Sequence, residues 1–113
     1  MIMEAYIGNF DDPNYDFYGG DYNGNIPHRQ SPFFPYPHGI FDALSKTKSI
    51  ADYEVRQLDW GAIGAKMSKQ QLEIFIDSFA DEKSFKDIRQ FIQGLDADKT
   101  YVLVAFETGE DYN

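Results

Sequence analysis

The chain has no cysteine, few basic residues and no long apolar run, and each shortage excludes a class of protein. Without cysteine there is no disulfide, no thiolate metal site and no cysteine nucleophile. No apolar stretch approaches the roughly 18 residues that a membrane span needs. The first residues, Met1 to Glu4, also lack the basic and apolar regions of a signal peptide. The sequence therefore predicts a cytoplasmic protein with no membrane contact.

Basic residues are outnumbered, because ten Lys and Arg stand against nineteen Asp and Glu, for a net charge of −9. A chain with this charge repels nucleic-acid phosphates and anionic membranes at long range. We therefore expect no direct contact with nucleic acid, and we expect a protein partner with a basic surface. Solubility alone is the other explanation of the charge.

The 113 residues are enough for one domain, residues 1–113, and 42% of them are hydrophobic. The composition changes near residue 45. Residues 1–45 hold ten of the nineteen aromatic residues, all five prolines and a single basic residue, Arg29. Residues 46–113 hold the other nine basic residues. The sequence thus divides into a loop-rich acidic half and a half with the pattern strand, helix, helix, strand.

Two amphipathic helices are marked in the second half. Ser68 can cap the first, because Gln71 stands three residues later and completes a capping box. The second is predicted to begin after a capping Ser84 and to end near Gly94. Each has one apolar stripe at helical spacing. The stripes are Leu72, Phe75, Ile76 and Phe79 in the first helix, and Phe85, Ile88, Phe91, Ile92 and Leu95 in the second.

The strongest strand pattern covers residues 99–107, where Tyr101 to Phe106 is apolar on both faces and so predicts a central strand. The weaker elements are strands over residues 2–7, 53–58 and 60–66, a helix over 39–46, an irregular hairpin within 9–25 and a proline-rich extended connection over 26–38. Helices with a single apolar stripe must bury it against another layer. We expect an α+β fold, a small mixed or antiparallel sheet of three to five strands with two amphipathic helices packed on one face.

Patterns for catalysis and metal binding are absent from the sequence. No serine lies in a Gly-x-Ser-x-Gly elbow, and no phosphate-binding glycine loop occurs. His28 and His38 are ten residues apart and match no zinc pattern. The run Asp21 to Asn25 resembles a calcium loop, but Ile26 and Pro32 stand where that motif needs Gly and Glu. We predict no cofactor, no metal and no enzymatic activity.

The acidic aromatic loops of the first half are the best candidates for contact with a partner. Tyrosines offer large rigid surfaces, and carboxylates steer toward basic proteins. The predicted contacts are Asp11, Asp12, Tyr15, Asp16, Phe17, Tyr18, Asp21, Tyr22, Phe33, Phe34 and Tyr36. The alternatives are an ordered loop with a solvated rim, a Pro-x-x-Pro segment that docks onto another protein, or aromatic side chains that cover an open sheet face. Aromatic loops can also close a homodimer.

The run from Trp60 to Lys66, the capped helix after Ser68 and the strand from Lys99 to Glu107 resemble small uncharacterised bacterial domains. The resemblance covers residues 60–107 and implies an order of elements but no activity.

Three functions follow from these patterns. The leading hypothesis is a non-enzymatic acidic inhibitor of the toxin-immunity or phage anti-defence type, which occupies a basic surface of a partner protein. The second is a nucleic-acid mimic, which needs carboxylates spaced like phosphates. The third is a small ligand-binding or enzymatic module with a pocket lined by Tyr36, His38, Trp60 and Glu107.

Overall fold

A computed structural model describes residues 3–19, 26–35, 39–57, 62–78 and 83–107. The chain has an α+β fold, as the sequence predicts. Its elements are β1 Met3–Asn9, α1 Ile40–Ala51, β2 Glu54–Gln57, β3 Ile63–Ser68, α2 Lys69–Ile76, α3 Lys86–Gln93 and β4 Thr100–Glu107.

The four strands form one antiparallel sheet in the order β1-β4-β3-β2. β4 lies between β1 and β3, so the prediction of a central strand over Tyr101 to Phe106 is confirmed. Each residue from Tyr101 to Ala105 is buried, because both faces of β4 are covered. In one row across the sheet, Tyr6 pairs with Val104, and Val104 pairs with Gly64.

The start of α2 has the predicted capping box. Ser68 Oγ accepts the backbone N–H of Gln71, and Gln71 Oε1 accepts the N–H of Ser68 at 2.9 Å. The side-chain amide of Gln71 also donates to the carbonyl of Ala51 at 2.8 Å. One side chain therefore fixes the beginning of α2 and ties it to the end of α1.

All three helices lie on one face of the sheet and share its main hydrophobic core. Leu72, Phe75 and Ile76 of α2 and Ile88 and Ile92 of α3 are buried there, as their spacing predicts. Phe79 lies outside the described residues.

The structure corrects three predicted boundaries. The N-cap of α3 is Phe85, not Ser84, and the helix begins at Lys86. The ring of Phe85 is buried beside Phe34. The predicted helix over 39–46 extends to Ala51. Its second half contains Thr47, a weak helix former, which is held by packing and by a bond from its Oγ to the Ala43 carbonyl. β3 begins at Ile63 rather than Trp60, and residues 58–61 lie outside the described part.

The other face of the sheet is covered as well, and by loops rather than helices. A second hydrophobic cluster joins Tyr6, Val102 and Val104 of the sheet to Tyr15 and Phe17. We call this sheet face the aromatic face, and residues 10–19 the cover segment. The cover segment contains turns and no strand, and the rest of the predicted hairpin lies outside the described residues.

Residues 27–34, which we call the edge segment, run along the outer side of β1 without forming a regular strand. This confirms an extended connection in the part of 26–38 that the structure describes. The Tyr6 hydroxyl donates to the Pro27 carbonyl at 2.7 Å, and Pro27 lies against Gly8. A Cβ on Gly8 would lie 2.8 Å from the Pro27 ring, so glycine is what admits this close approach.

Candidate protein-binding interface

Two aspartates shape the cover segment by accepting hydrogen bonds from the backbone N–H groups two residues later in the chain. Asp12 Oδ1 accepts the N–H of Asn14 at 2.8 Å, and Asp16 Oδ1 accepts the N–H of Tyr18 at 3.0 Å. Such turns are what short acidic side chains favour in loops. Two carboxylates of the predicted contact set therefore also hold the loop together.

Asp12 also joins the cover segment to the edge segment. Its side chain is buried, and its Oδ2 accepts the backbone N–H of His28 at 2.7 Å and contacts His28 Nδ1 at 3.0 Å. The backbone bonds from His28 and Asn14 hold the pKa of Asp12 below its usual value, because they favour the charged carboxylate. His28 itself stays largely exposed, and its Nε2 lies 3.1 Å from the amide nitrogen of Asn14.

Tyr15 and Phe17 face the sheet rather than solvent. Both are buried, and burial raises the pKa of Tyr15 to about 12. The Tyr15 hydroxyl lies over Gly64, where a Cβ would come within 2.8 Å of it. In the chain alone these two side chains form the core of the aromatic face, with Phe10 tilted against Phe17 at 5.7 Å between ring centroids.

Tyr18 is the most exposed aromatic side chain of the cover segment. It is 54% exposed, yet it is held on several sides. Its hydroxyl donates to Glu54 Oε1 at 3.1 Å, and its ring meets the edge of Phe17 at 5.0 Å. A rigid exposed aromatic ring suits protein binding, because little side-chain entropy is lost on contact.

The three basic side chains of the aromatic face lie against aromatic rings of the chain itself. The Lys66 ammonium is 4.7 Å from the centroid of Phe10, and the Arg29 guanidinium is 4.5 Å from that of Phe33. Arg56 lies over Tyr18 at 5.9 Å and donates to the Phe17 carbonyl. These cations are engaged within the fold.

The two phenylalanines of the edge segment point to opposite sides of the sheet, as neighbours in an extended chain do. Phe34 is buried on the helix side, edge-on to Phe75 and Phe85 at 6.3 and 6.2 Å. Phe33 is 45% exposed and meets Tyr6 at 6.1 Å on the aromatic face. Of these two residues, Phe33 is the one that lies over the face without helices, whereas Phe34 belongs to the main core on the helix side.

The structure separates the predicted contacts into three groups. Exposed in the chain are Asp11, Asp16, Tyr18 and Phe33. Buried are Asp12, Tyr15, Phe17 and Phe34. Outside the described residues are Asp21, Tyr22 and Tyr36.

Sequence reasoning missed Glu54, Arg56 and Lys66, which surround Tyr18. Their alternation along β2 and β3 places them on one face, opposite the helices. That alternation is visible in the sequence, but which face the aromatic loop would cover is not.

The described residues hold no group of three side chains suited to a metal ion. Ser31 is wholly buried, and its hydroxyl accepts the Ile7 N–H and donates to the Pro32 carbonyl, which is a structural role. The proposed pocket of Tyr36, His38, Trp60 and Glu107 cannot be placed, since these side chains lie outside the described ones.

An open depression of about 410 Å³ lies where β1 ends and β4 begins. It is lined by Asn9, Phe10, Asp11, Asp98, Lys99 and Thr100. Small-molecule sites are usually enclosed and largely apolar, and this depression is neither.

Among the helices that the structure describes, none has the length and apolar character needed to cross a bilayer. No protein-family model, no curated protein and no solved structure matches the chain.

Proposed function

We propose that this chain is a non-enzymatic acidic inhibitor that binds a basic surface of a partner protein through its aromatic face. Proteins of this type include immunity proteins for toxins and phage proteins that block bacterial defence complexes. The proposal includes a cytoplasmic location and no direct contact with nucleic acid.

One observation carries the proposal: three cations on the aromatic side lie against rings of the chain itself, while the carboxylates of Asp11, Asp16 and Glu54 are exposed. Arg29, Arg56 and Lys66 lie against rings of the same face. Glu54 is exposed beside the half-exposed ring of Tyr18, and Asp11 and Asp16 of the cover segment are exposed as well. Within a chain of net charge −9, this arrangement favours a basic protein surface with an aromatic anchor at the contact.

A nucleic-acid mimic is the second candidate, and the helix layer weighs against it. Lys86 and Arg89 of α3 line an open groove of about 360 Å³ together with Gln90 and Gln93. A mimic needs a continuous negative stripe, and these cations interrupt the acidic surface on that side of the molecule.

The test is an affinity pull-down with a matched pair of charge variants. The chain is immobilised and exposed to a lysate of its producing cells at low and at moderate salt, and bound proteins are identified by mass spectrometry. The test variant carries Asp11→Asn, Asp16→Asn and Glu54→Gln on the aromatic side. The control carries Asp42→Asn, Glu73→Gln and Asp87→Asn on the helix layer, so both variants lose the same charge.

We expect one stoichiometric basic partner whose capture falls as salt rises, since screening weakens contacts between exposed charges. The test variant should lose this partner, while the control should keep it. Equal capture by both variants would show that the aromatic face is not the contact. Absence of any partner at either salt would refute the inhibitor function.

A further inference from the structure

Among the residues that the structure describes, the two edges of the sheet differ, because one is paired with another part of the chain and the other is not. At β1, the Ile7 N–H donates to Ser31 Oγ at 2.8 Å, and the Ile7 carbonyl accepts the N–H groups of Gln30 and Ser31. The Phe34 N–H donates to the Ala5 carbonyl at 2.8 Å. The outer side of β1 is thus paired with the edge segment, which blocks the approach of another strand.

The same bonds determine which groups of β2 point outward. In an antiparallel sheet, each residue bonds to the strand on one side only, and successive residues alternate. The backbone N–H and C=O of Ile7 point away from β4, so those of Leu103, which is opposite Ile7 in β4, point toward β3. Leu103 therefore exchanges backbone hydrogen bonds with Ala65 of β3. Because successive residues alternate, the backbone groups of Gly64 and Lys66 in β3 point toward β2. There they form hydrogen bonds with Arg56 and Glu54, respectively.

It follows that Val55 and Gln57 direct their N–H and C=O groups away from β3. Within the described residues, no backbone group bonds to this outer side of β2. An open edge of this kind is a template for one more strand.

The side chains along this edge define what kind of strand it accepts. Glu54 is exposed, and its carboxylate accepts a hydrogen bond from the hydroxyl of Tyr18. A carboxylate and a half-exposed ring are therefore adjacent on the aromatic side. Gln57 is also exposed. Arg56 and Lys66 already lie near the ring of Tyr18, whereas the contact described for the Glu54 carboxylate is a neutral hydroxyl. A lysine or arginine on an added strand would therefore meet the charge of Glu54.

We propose that the outer edge of β2 accepts an extended basic segment of the partner protein as a fifth strand. This inference rests on the proposed function and assigns the backbone part of that contact to Val55 and Gln57. A second copy of the chain is disfavoured as the occupant, because it would bring two chains of net charge −9 together edge to edge.

The probe is a short synthetic peptide in which arginine alternates with threonine and valine, and its control has glutamate in place of arginine. Amide hydrogen exchange is followed by NMR in the free chain and with each peptide. In the free chain, the amides of Val55 and Gln57 should exchange quickly, while those of Glu54 and Arg56 should be protected. The basic peptide should slow exchange at Val55 and Gln57, and the acidic peptide should not.

The matched variants are Val55→Pro and Val55→Thr. Proline removes the outward N–H and blocks the edge, and it leaves the bonds to β3 intact, so an edge strand tolerates it. Threonine keeps the N–H and the branched shape. Val55→Pro should weaken binding of the basic peptide by about tenfold or more, and Val55→Thr should leave it unchanged. Gln57→Pro repeats the test in case Val55→Pro does not fold.

Several results would overturn the proposal: equal binding of the basic peptide to both Val55 variants, slowed exchange only at other residues, or no binding. A concentration-dependent doubling of mass that Val55→Pro abolishes would assign the edge to a second copy instead. These outcomes are independent of the pull-down. If the captured partner binds both Val55 variants equally, the inhibitor function stands and the strand addition fails.

Discussion

The hydroxyl of Tyr15 lies so close over Gly64 that no side chain fits between them: a Cβ on Gly64 would come within 2.8 Å of the Tyr15 oxygen. This contact joins the cover segment to the middle of β3. A larger residue at position 64 would force the loop to move away from the sheet.

The first prediction concerns this contact. Gly64→Ala should lower the free energy of unfolding by about 1–3 kcal/mol, because a buried overlap must be relieved by moving the loop. Urea denaturation measures the loss. Tyr15→Phe removes the oxygen that clashes, so the double variant should be more stable than the sum of the single changes implies. Additive losses would mean that the two residues do not meet.

The second prediction concerns Asp12 and its bonds to His28 and Asn14. Asp12→Asn should lower the free energy of unfolding at pH 7 by about 1–2 kcal/mol, since the partly buried N–H groups of His28 and Asn14 lose a charged acceptor. Asp11→Asn is the matched control. Because Asp11 is exposed, this substitution should not change the free energy of unfolding measurably. Urea denaturation at pH 7 compares the two.

The pH dependence of Asp12 follows from the direction of its pKa shift. The folded-state pKa lies below the ordinary 3.8, so the unfolded chain takes up the proton first as pH falls. The stability that Asp12 contributes is therefore present above pH 3.8 and is lost as pH falls through the folded pKa. Urea midpoints measured from neutral to acidic pH should fall less steeply for Asp12→Asn than for the parent chain. Parallel curves would contradict this role.

The third prediction uses the neighbours Phe33 and Phe34, which differ in burial. Phe34→Ala should cost about 3–5 kcal/mol of stability, because it opens a cavity between Phe75 and Phe85. Phe33→Ala should cost far less, since its ring is nearly half exposed. Thermal unfolding followed by circular dichroism distinguishes them, and similar losses would place Phe33 in the core as well.

The fourth prediction concerns the capping box of α2. Ser68→Ala should cost about 1 kcal/mol, and Ser68→Thr should recover most of it. Gln71→Ala should cost at least as much as Ser68→Ala, because it also frees the Ala51 carbonyl at the end of α1. Denaturant midpoints of the three variants give the order, and a smaller loss for Gln71→Ala would argue against the link between the helices.

The fifth prediction concerns two buried tyrosines. Burial raises the pKa of both Tyr6 and Tyr15 to about 12. Because the folded-state values exceed the ordinary 10.0, the unfolded chain releases these protons first as pH rises. Stability should therefore fall as pH rises above about 10 and toward 12. Tyrosinate absorbance should show a late step that shrinks in Tyr15→Phe, and an unchanged step would contradict the burial.

The sequence predicted the parts of the fold that short-range patterns determine. The capping box at Ser68 and Gln71, the stripes of α2 and α3 and the central position of β4 depend on spacings of three, four or two residues. These patterns can be recognised without knowing which surface each helix or strand packs against.

The candidate site was harder to predict, because its residues depend on contacts between distant segments. Tyr15 and Phe17 carry the same local signal as Tyr18, yet they are buried against Gly64 and Val104 while Tyr18 reaches solvent. Asp12 is buried and Asp11 is exposed, because His28, sixteen residues later in the chain, returns to contact Asp12. No periodic pattern contains that information.

The pairing of residues 30–34 with β1 also limits how the protein can assemble. Addition of strands without end, as in a fibril, needs two open edges on every molecule. Here the bonds from Ser31 and Phe34 occupy one of them. Any sheet that grows from this chain grows in a single direction, and two copies that met would close as a pair. Complexes of defined stoichiometry, rather than aggregates, are the outcome that this edge favours.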